Sequence, residues 1–282
     1  MKIFIIVSLV LGFIILIVIA CGPNKKKKSV EEPAVKVVVD AYDFDKPNKK
    51  MTLPKSLREI SGLSFYKDNQ LACVNDEEGK VFFYDFAEEE IVGKIDFSKA
   101  GDYEGIEIVG NIIYVLKSDG KIKVFDIEGD NERDIDCRRA DVIEYEGLGY
   151  DSQTNSLLLA TKEHSKEKDA QKVIYSYDLK KETFSNRMVI TEDMVRSNNG
   201  KVDFRPSGIA VHPLNGNIYI IASQGKKLLV LSNQGVKKDL VELNDKLFRQ
   251  PEGICFAPSG DLYISSEGEN KKGYILKFDY NQ

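Results

Sequence analysis

Residues 58–86, REISGLSFYKDNQLACVNDEEGKVFFYDF, open a pattern that returns four times along the chain. It recurs as DYEGIEIVGNIIYVLKSDGKIKVFDI at 102–127, EYEGLGYDSQTNSLLLATKEH at 144–164, RPSGIAVHPLNGNIYIIASQGKKLLVLS at 205–232 and QPEGICFAPSGDLYISSEGENKKGYILKFD at 250–279. Each copy carries Ser or Glu, then Gly, then Ile or Leu. The residues before the glycine are Ser61, Glu104, Glu146, Ser207 and Glu252, spaced by 43, 42, 61 and 45 residues. That period suits one four-stranded blade of a β-propeller per copy. The long interval holds two charged insertions, His164–Gln171 and Thr191–Lys201, which account for its length without a further repeat. The fold class expected is all-β, a five-bladed β-propeller; six blades is the alternative.

Within the first copy, Ser61–Tyr66, Gln70–Val74, Lys80–Phe86 and Ile91–Phe97 read as inner, second, third and outer strands. Turn residues such as Asp68-Asn69 and Glu78-Gly79 separate them. The second strands of the other copies (IIYVL, SLLLA, NIYIIA, DLYIS) are nearly all apolar, as strands covered on both faces by neighbouring blades should be. The last copy runs out after three strands. Val35–Leu53 (VKVVVDAYDFDKPNKKMTL) contains strand-like sequence and is expected to supply the fourth, leaving no open edge. A β-sandwich would share the short strands but not the tripeptide repeated five times. Residues 35–282 are therefore read as one domain.

The segment before it is of another kind. Lys2 precedes the uncharged stretch Ile3–Ala20, which ends in Val18-Ile19-Ala20-Cys21-Gly22. This resembles the lipobox of bacterial lipoproteins, so residues 1–20 are expected to be a signal peptide and Cys21 the lipidated residue. A transmembrane helix that ends at a cysteine is the alternative. Residues 21–34 read as a disordered tether whose Lys25–Lys28 run sits near anionic headgroups. Gly22, in place of an aspartate that retains lipoproteins at the inner membrane, points to the outer membrane with the domain facing the periplasm. The 40 Lys+Arg against 45 Asp+Glu give a net charge of −5, which argues against a nucleic-acid partner. A monomer is expected, with its ligand or protein partner unspecified.

The strings EISGL, VNDEEG, DYEGIE, EGLGYD, LLATKE, PSGIAVHP and QPEGICFAPSGDLYISSEG, in this order, resemble the SdiA-regulated (YjiK-like) β-propeller family over about residues 40–282. The resemblance implies a five-bladed propeller distantly similar to NHL-repeat propellers, with a calcium ion in a shared site and no established enzymatic activity.

The acidic residues support a cation independently. Positions two apart on a strand face the same way. The inner strands thus carry Glu59, Asp102, Glu104, Glu144, Glu146 and Glu252 on one face, against Arg205. These residues begin the inner strands, so they ring one mouth of the central channel. Second strands return to that mouth and end in Asn75-Asp76, Lys117-Ser118, Lys162-Glu163, Ser223-Gln224 and Ser266-Glu267. Crowded carboxylates either gain protons or take up a cation, and calcium accepts 6–8 oxygen ligands in irregular geometry. The candidate metal ligands are Glu59, Glu104, Glu146 and Glu252, with Asp102 and Glu163 as weaker ones, and Ca2+ is the expected ion. The competing reading is that each Glu before a glycine only bonds neighbouring backbone amides.

Other chemistry is poorly represented. His164 and His212 are read as surface residues, which excludes a His-based zinc site. Asp126-Ile-Glu128-Gly-Asp130 reads as a hairpin turn, and Cys73 and Cys255 as small core residues outside any disulfide network. Three functions remain open: a calcium-dependent binding or signalling module at the cell envelope, a calcium-assisted hydrolase holding phosphate through Lys117, Lys162 and Arg205, and a scaffold using its outer surface.

Overall fold

The computed structural model describes residues 38–39, 42–164, 172–268 and 270–280; the signal-peptide, Cys21 and tether expectations lie outside them. Residues Lys36–Gln282 form one compact unit. No helix among the described residues is long and apolar enough to cross a membrane. They form five four-stranded antiparallel sheets, four running from an inner strand outward in chain order and the fifth closed by an earlier strand, besides a short pairing of Val38–Val39 with Tyr42–Asp43. The inner strands are Ile60–Lys67, Tyr103–Val109, Val142–Asp151, Arg205–Val211 and Pro251–Phe256, for blades I to V.

The closure expected from Val35–Leu53 is present, made by only four of its residues. Lys49–Thr52 pairs antiparallel with Tyr274–Phe278 as the outer strand of blade V, with Met51 opposite Ile275. The preceding residues add a different contact. Tyr42 and Phe44 are buried in the wedge between blades IV and V. Among the described residues the long interval holds no further blade: it is taken up by long strands in blade III and a helical turn, Glu192–Val195.

Second strands are buried over most of their length, as in Leu71–Asn75 and Leu262–Ser266, because a blade packs on each of their faces. The outer strand Glu90–Asp96 instead alternates exposed and half-buried residues. The core is accordingly five apolar wedges, one between each pair of neighbouring blades. Cys73, Cys137 and Cys255 are buried free thiols within this packing.

The repeated tripeptide has two structural causes. In every blade the inner strand shifts register at the Ser or Glu, between Ile60 and Gly62, Tyr103 and Gly105, Tyr145 and Gly147, Pro206 and Gly208, and Pro251 and Ile254. A β-bulge there adds one residue and re-aims its side chain. The glycine that follows lets adjacent inner strands touch. A Cβ on Gly62 would lie 2.8 Å from Gly105 Cα, and one on Gly105 would lie 2.9 Å from Leu148 Cβ. The converging glycines and the Leu or Ile after each leave a waist of about 10 Å³, room for about one water. The central channel is therefore two chambers, not a pore.

His212 corrects the surface expectation, for it is 1% exposed. Its Nδ1 accepts from the amides of Leu214 and Asn215 at 3.2 and 3.4 Å. The proton therefore sits on Nε2, 2.9 Å from the Tyr42 hydroxyl, which in turn donates to the Gly260 carbonyl. Tyr42 arrives from the N-terminal segment and covers the turn, and the local sequence around His212 contains no sign of that.

Candidate metal centre

The acidic chamber opens where the inner strands begin and has a volume of about 280 Å³. Of the candidate ligands, Glu59, Asp102, Glu104, Glu146 and Glu252 line it together. Glu163 does not: it lies outside the lining, its carboxylate 3.9 Å from the Arg205 guanidinium. Asp76, Glu144 and Glu267 complete a set of eight carboxyl groups, and Lys162 is the one amine among the described lining residues. Asp76, Lys162 and Glu267 belong to the dipeptides that end second strands. Which member of each pair turns inward was not readable, because it depends on the bulge in the facing strand.

Serine and glutamate at the bulge behave differently. Ser61 Oγ donates to the Tyr103 carbonyl at 2.6 Å, and Ser207 Oγ to the Pro251 carbonyl at 2.7 Å. Each serine thus stitches one inner strand to the next. The glutamates meet side chains instead. Glu146 accepts from Lys162, which also donates to Glu144 at 3.1 Å. Glu104 shares a hydrogen bond with Asp102, and Glu252 accepts from Ser223 and Gln250. Asp102 also accepts from the Ser118 hydroxyl, and Glu59 pairs with Arg58.

Burial governs the charge state of this cluster. Burial, the bond to Asp102 and the nearby Glu146 raise Glu104 to about 10. Burial raises Glu146 to about 7 against the pull of Lys162, and burial with Glu59 alongside raises Asp76 to about 6. Burial and Glu146 hold Glu252 well above the usual carboxylate range. Burial disfavours the Lys162 ammonium, but its bonds to Glu146 and Glu144 outweigh that and raise its pKa. At neutral pH the chamber alone keeps protons on some of its acids.

The donor set fits a hard divalent ion. One carboxylate oxygen from each of Glu104, Glu144 and Glu146 lies within 4.8 Å of the others. Oxygens around one calcium ion lie no more than about 5 Å apart, given metal–oxygen distances near 2.4 Å. Asp76 Oδ1 is buried without a hydrogen-bond partner and offers a further oxygen. The cations that a phosphate would need are otherwise engaged: Lys162 with Glu144 and Glu146, Arg205 with Glu163, and Lys117 with Asp119 at 3.7 Å.

Comparison with known proteins agrees with this architecture. No curated protein matches the sequence. Among solved structures, a chain of a nidogen–laminin complex superposes with a TM-score of 0.53 at 16% identity, over 78% of this chain and 76% of that one. A luciferin-regenerating enzyme superposes with a TM-score of 0.52 at 13% identity, over 83% of this chain and 95% of that one. At such identities they speak for the fold alone. The sequence model of one family matches residues 36–270, from before the closing strand into blade V, and so takes in the five bulged tripeptides and the acidic chamber they build. By that match the chain belongs to the SdiA-regulated family.

Proposed function

We propose that the acidic chamber holds one calcium ion and that the domain serves as a calcium-dependent binding or signalling module at the cell envelope. The observation that carries this is the gathering, among the described residues, of eight carboxyl groups with one amine in a chamber of about 280 Å³. Such a set is costly to bury as charges and costly to keep protonated, and a divalent cation relieves both. Glu104, Glu144 and Glu146 are the residues best placed to hold it. Elemental analysis of the dialysed full chain should find one equivalent of calcium. Metal-free protein that takes up none at millimolar calcium contradicts the site.

Binding is favoured over hydrolysis because Lys162 is spent on two glutamates, and Arg205 and Lys117 are paired away from the chamber. Membrane attachment belongs to the same proposal. Cys21 carries the lipid and the domain faces the periplasm from the outer membrane. Mass spectrometry of the mature N-terminus should find a diacylglycerol adduct on Cys21, and a chain still beginning at Met1 contradicts this. Protease treatment of intact and lysed cells separates a periplasmic from a surface-facing domain.

A further inference from the structure

Beyond the waist, where the inner strands end, lies a second chamber of about 360 Å³, the larger of the two. All five blades contribute to it, and its volume falls in the range of small-molecule pockets. The sequence explains the space. Two residues after each ring glycine stand Ser64, Glu107, Gly149, Ala210 and Cys255. Four of these are small, so little side-chain volume fills the channel at this level. The fifth is a glutamate, and it lines the chamber.

Glu107 is held in one orientation. Ser64 Oγ, from the neighbouring inner strand, donates to its carboxylate at 2.8 Å, and the Ile108 amide donates to the same oxygen at 3.2 Å. The Ile108 amide also reaches Ser64 Oγ at 3.3 Å, and the Tyr150 amide donates to the carboxylate as well. No lysine or arginine is among the described lining residues. Four aromatic residues, Phe65, Tyr66, Tyr150 and Phe256, stand in the wall. A carboxyl lodged among rings without a cationic partner costs stability that an apolar residue would not. Burial accordingly raises it to about 7.

We infer that this second chamber is a binding site for a small organic amine, whose ammonium pairs with Glu107 while its apolar body lies against the aromatic wall. The carboxylate and the ring faces attract the same kind of group, since a cation is drawn to both. An anionic ligand would meet Glu107 with no positive side chain to offset it. The glycine waist separates this site from the acidic chamber, so the inference stands apart from the calcium reading.

The test is a calorimetric titration of the full chain, saturated with calcium to occupy the acidic chamber, using 2-phenylethylamine as probe and 2-phenylethanol as its neutral isostere. The amine should bind, and the alcohol should bind at least about tenfold more weakly. Glu107→Gln should reduce amine affinity by a similar factor and leave alcohol affinity unchanged. Because that variant could misfold, nuclear Overhauser contacts between the probe and the Tyr150 and Phe256 rings provide a second readout in the native sequence. Equal binding of amine and alcohol, amine binding indifferent to Glu107→Gln, contacts only to the acidic chamber, or no binding would each overturn the assignment.

Discussion

Glu104 shows how a single residue can report on the chamber. Its carboxyl is pushed to about 10 by burial first and by Asp102 and Glu146 next, with Glu146 at about 7 and Asp76 at about 6. An acid whose folded pKa is raised binds more protons folded than unfolded, so its contribution is complete below the unfolded value and is lost as pH rises through the folded one. In chelator, stability should therefore fall as pH climbs from about 5 to 8. Saturating calcium should flatten that slope, because the ion replaces the protons. Urea denaturation across this range, with and without chelator, checks it; a chelated protein that grows more stable with pH contradicts the charge assignment. Gly105 tests the waist separately. Gly105→Ala sets a methyl 2.9 Å from Leu148 Cβ and should cost about 1–3 kcal/mol by overpacking, read as a lower urea midpoint.

At the scale of elements, the strand Lys49–Thr52 completes blade V, while Tyr42 and Phe44 seal the wedge beside it. Removing residues 35–53 would expose the edge of Tyr274–Phe278 and empty that wedge, so the truncated chain should aggregate. Size-exclusion chromatography decides this, and a soluble, monomeric deletion contradicts the closure. The same elements mark how far sequence could be read. The bulged Ser or Glu and its glycine recur in linear order, so blade count and the acidic face were legible directly. Asp76 as a lining group, and Glu163 as one outside the lining, depend on where each bulge displaces the register, which strand alternation does not encode. His212 was misread for a related reason, since the Tyr42 that buries it is 170 residues away. The second chamber was missed because small residues two places past a glycine signal nothing until five strands converge.

Across the propeller unit, five wedges form a ring that holds two unlike chambers back to back, one acidic and one with four aromatic residues in its wall. Rigid walls suit an ion, because the carboxylates are gathered before it arrives and little ordering remains to be done. A ligand that binds only the folded state raises stability by mass action. Calcium at 100 times its dissociation constant should add about 2.7 kcal/mol. Glu104→Gln and Glu146→Gln should shrink that gain while leaving the chelated protein folded, since each removes a carboxyl that is costly to bury in the empty chamber. Thermal melts with paired calorimetry therefore test the central claim most directly. The account predicts a measurable heat of calcium binding and a melting temperature that rises with calcium, falls back in chelator, and responds less in both variants. No heat of binding and an unchanged melting temperature at millimolar calcium would contradict it.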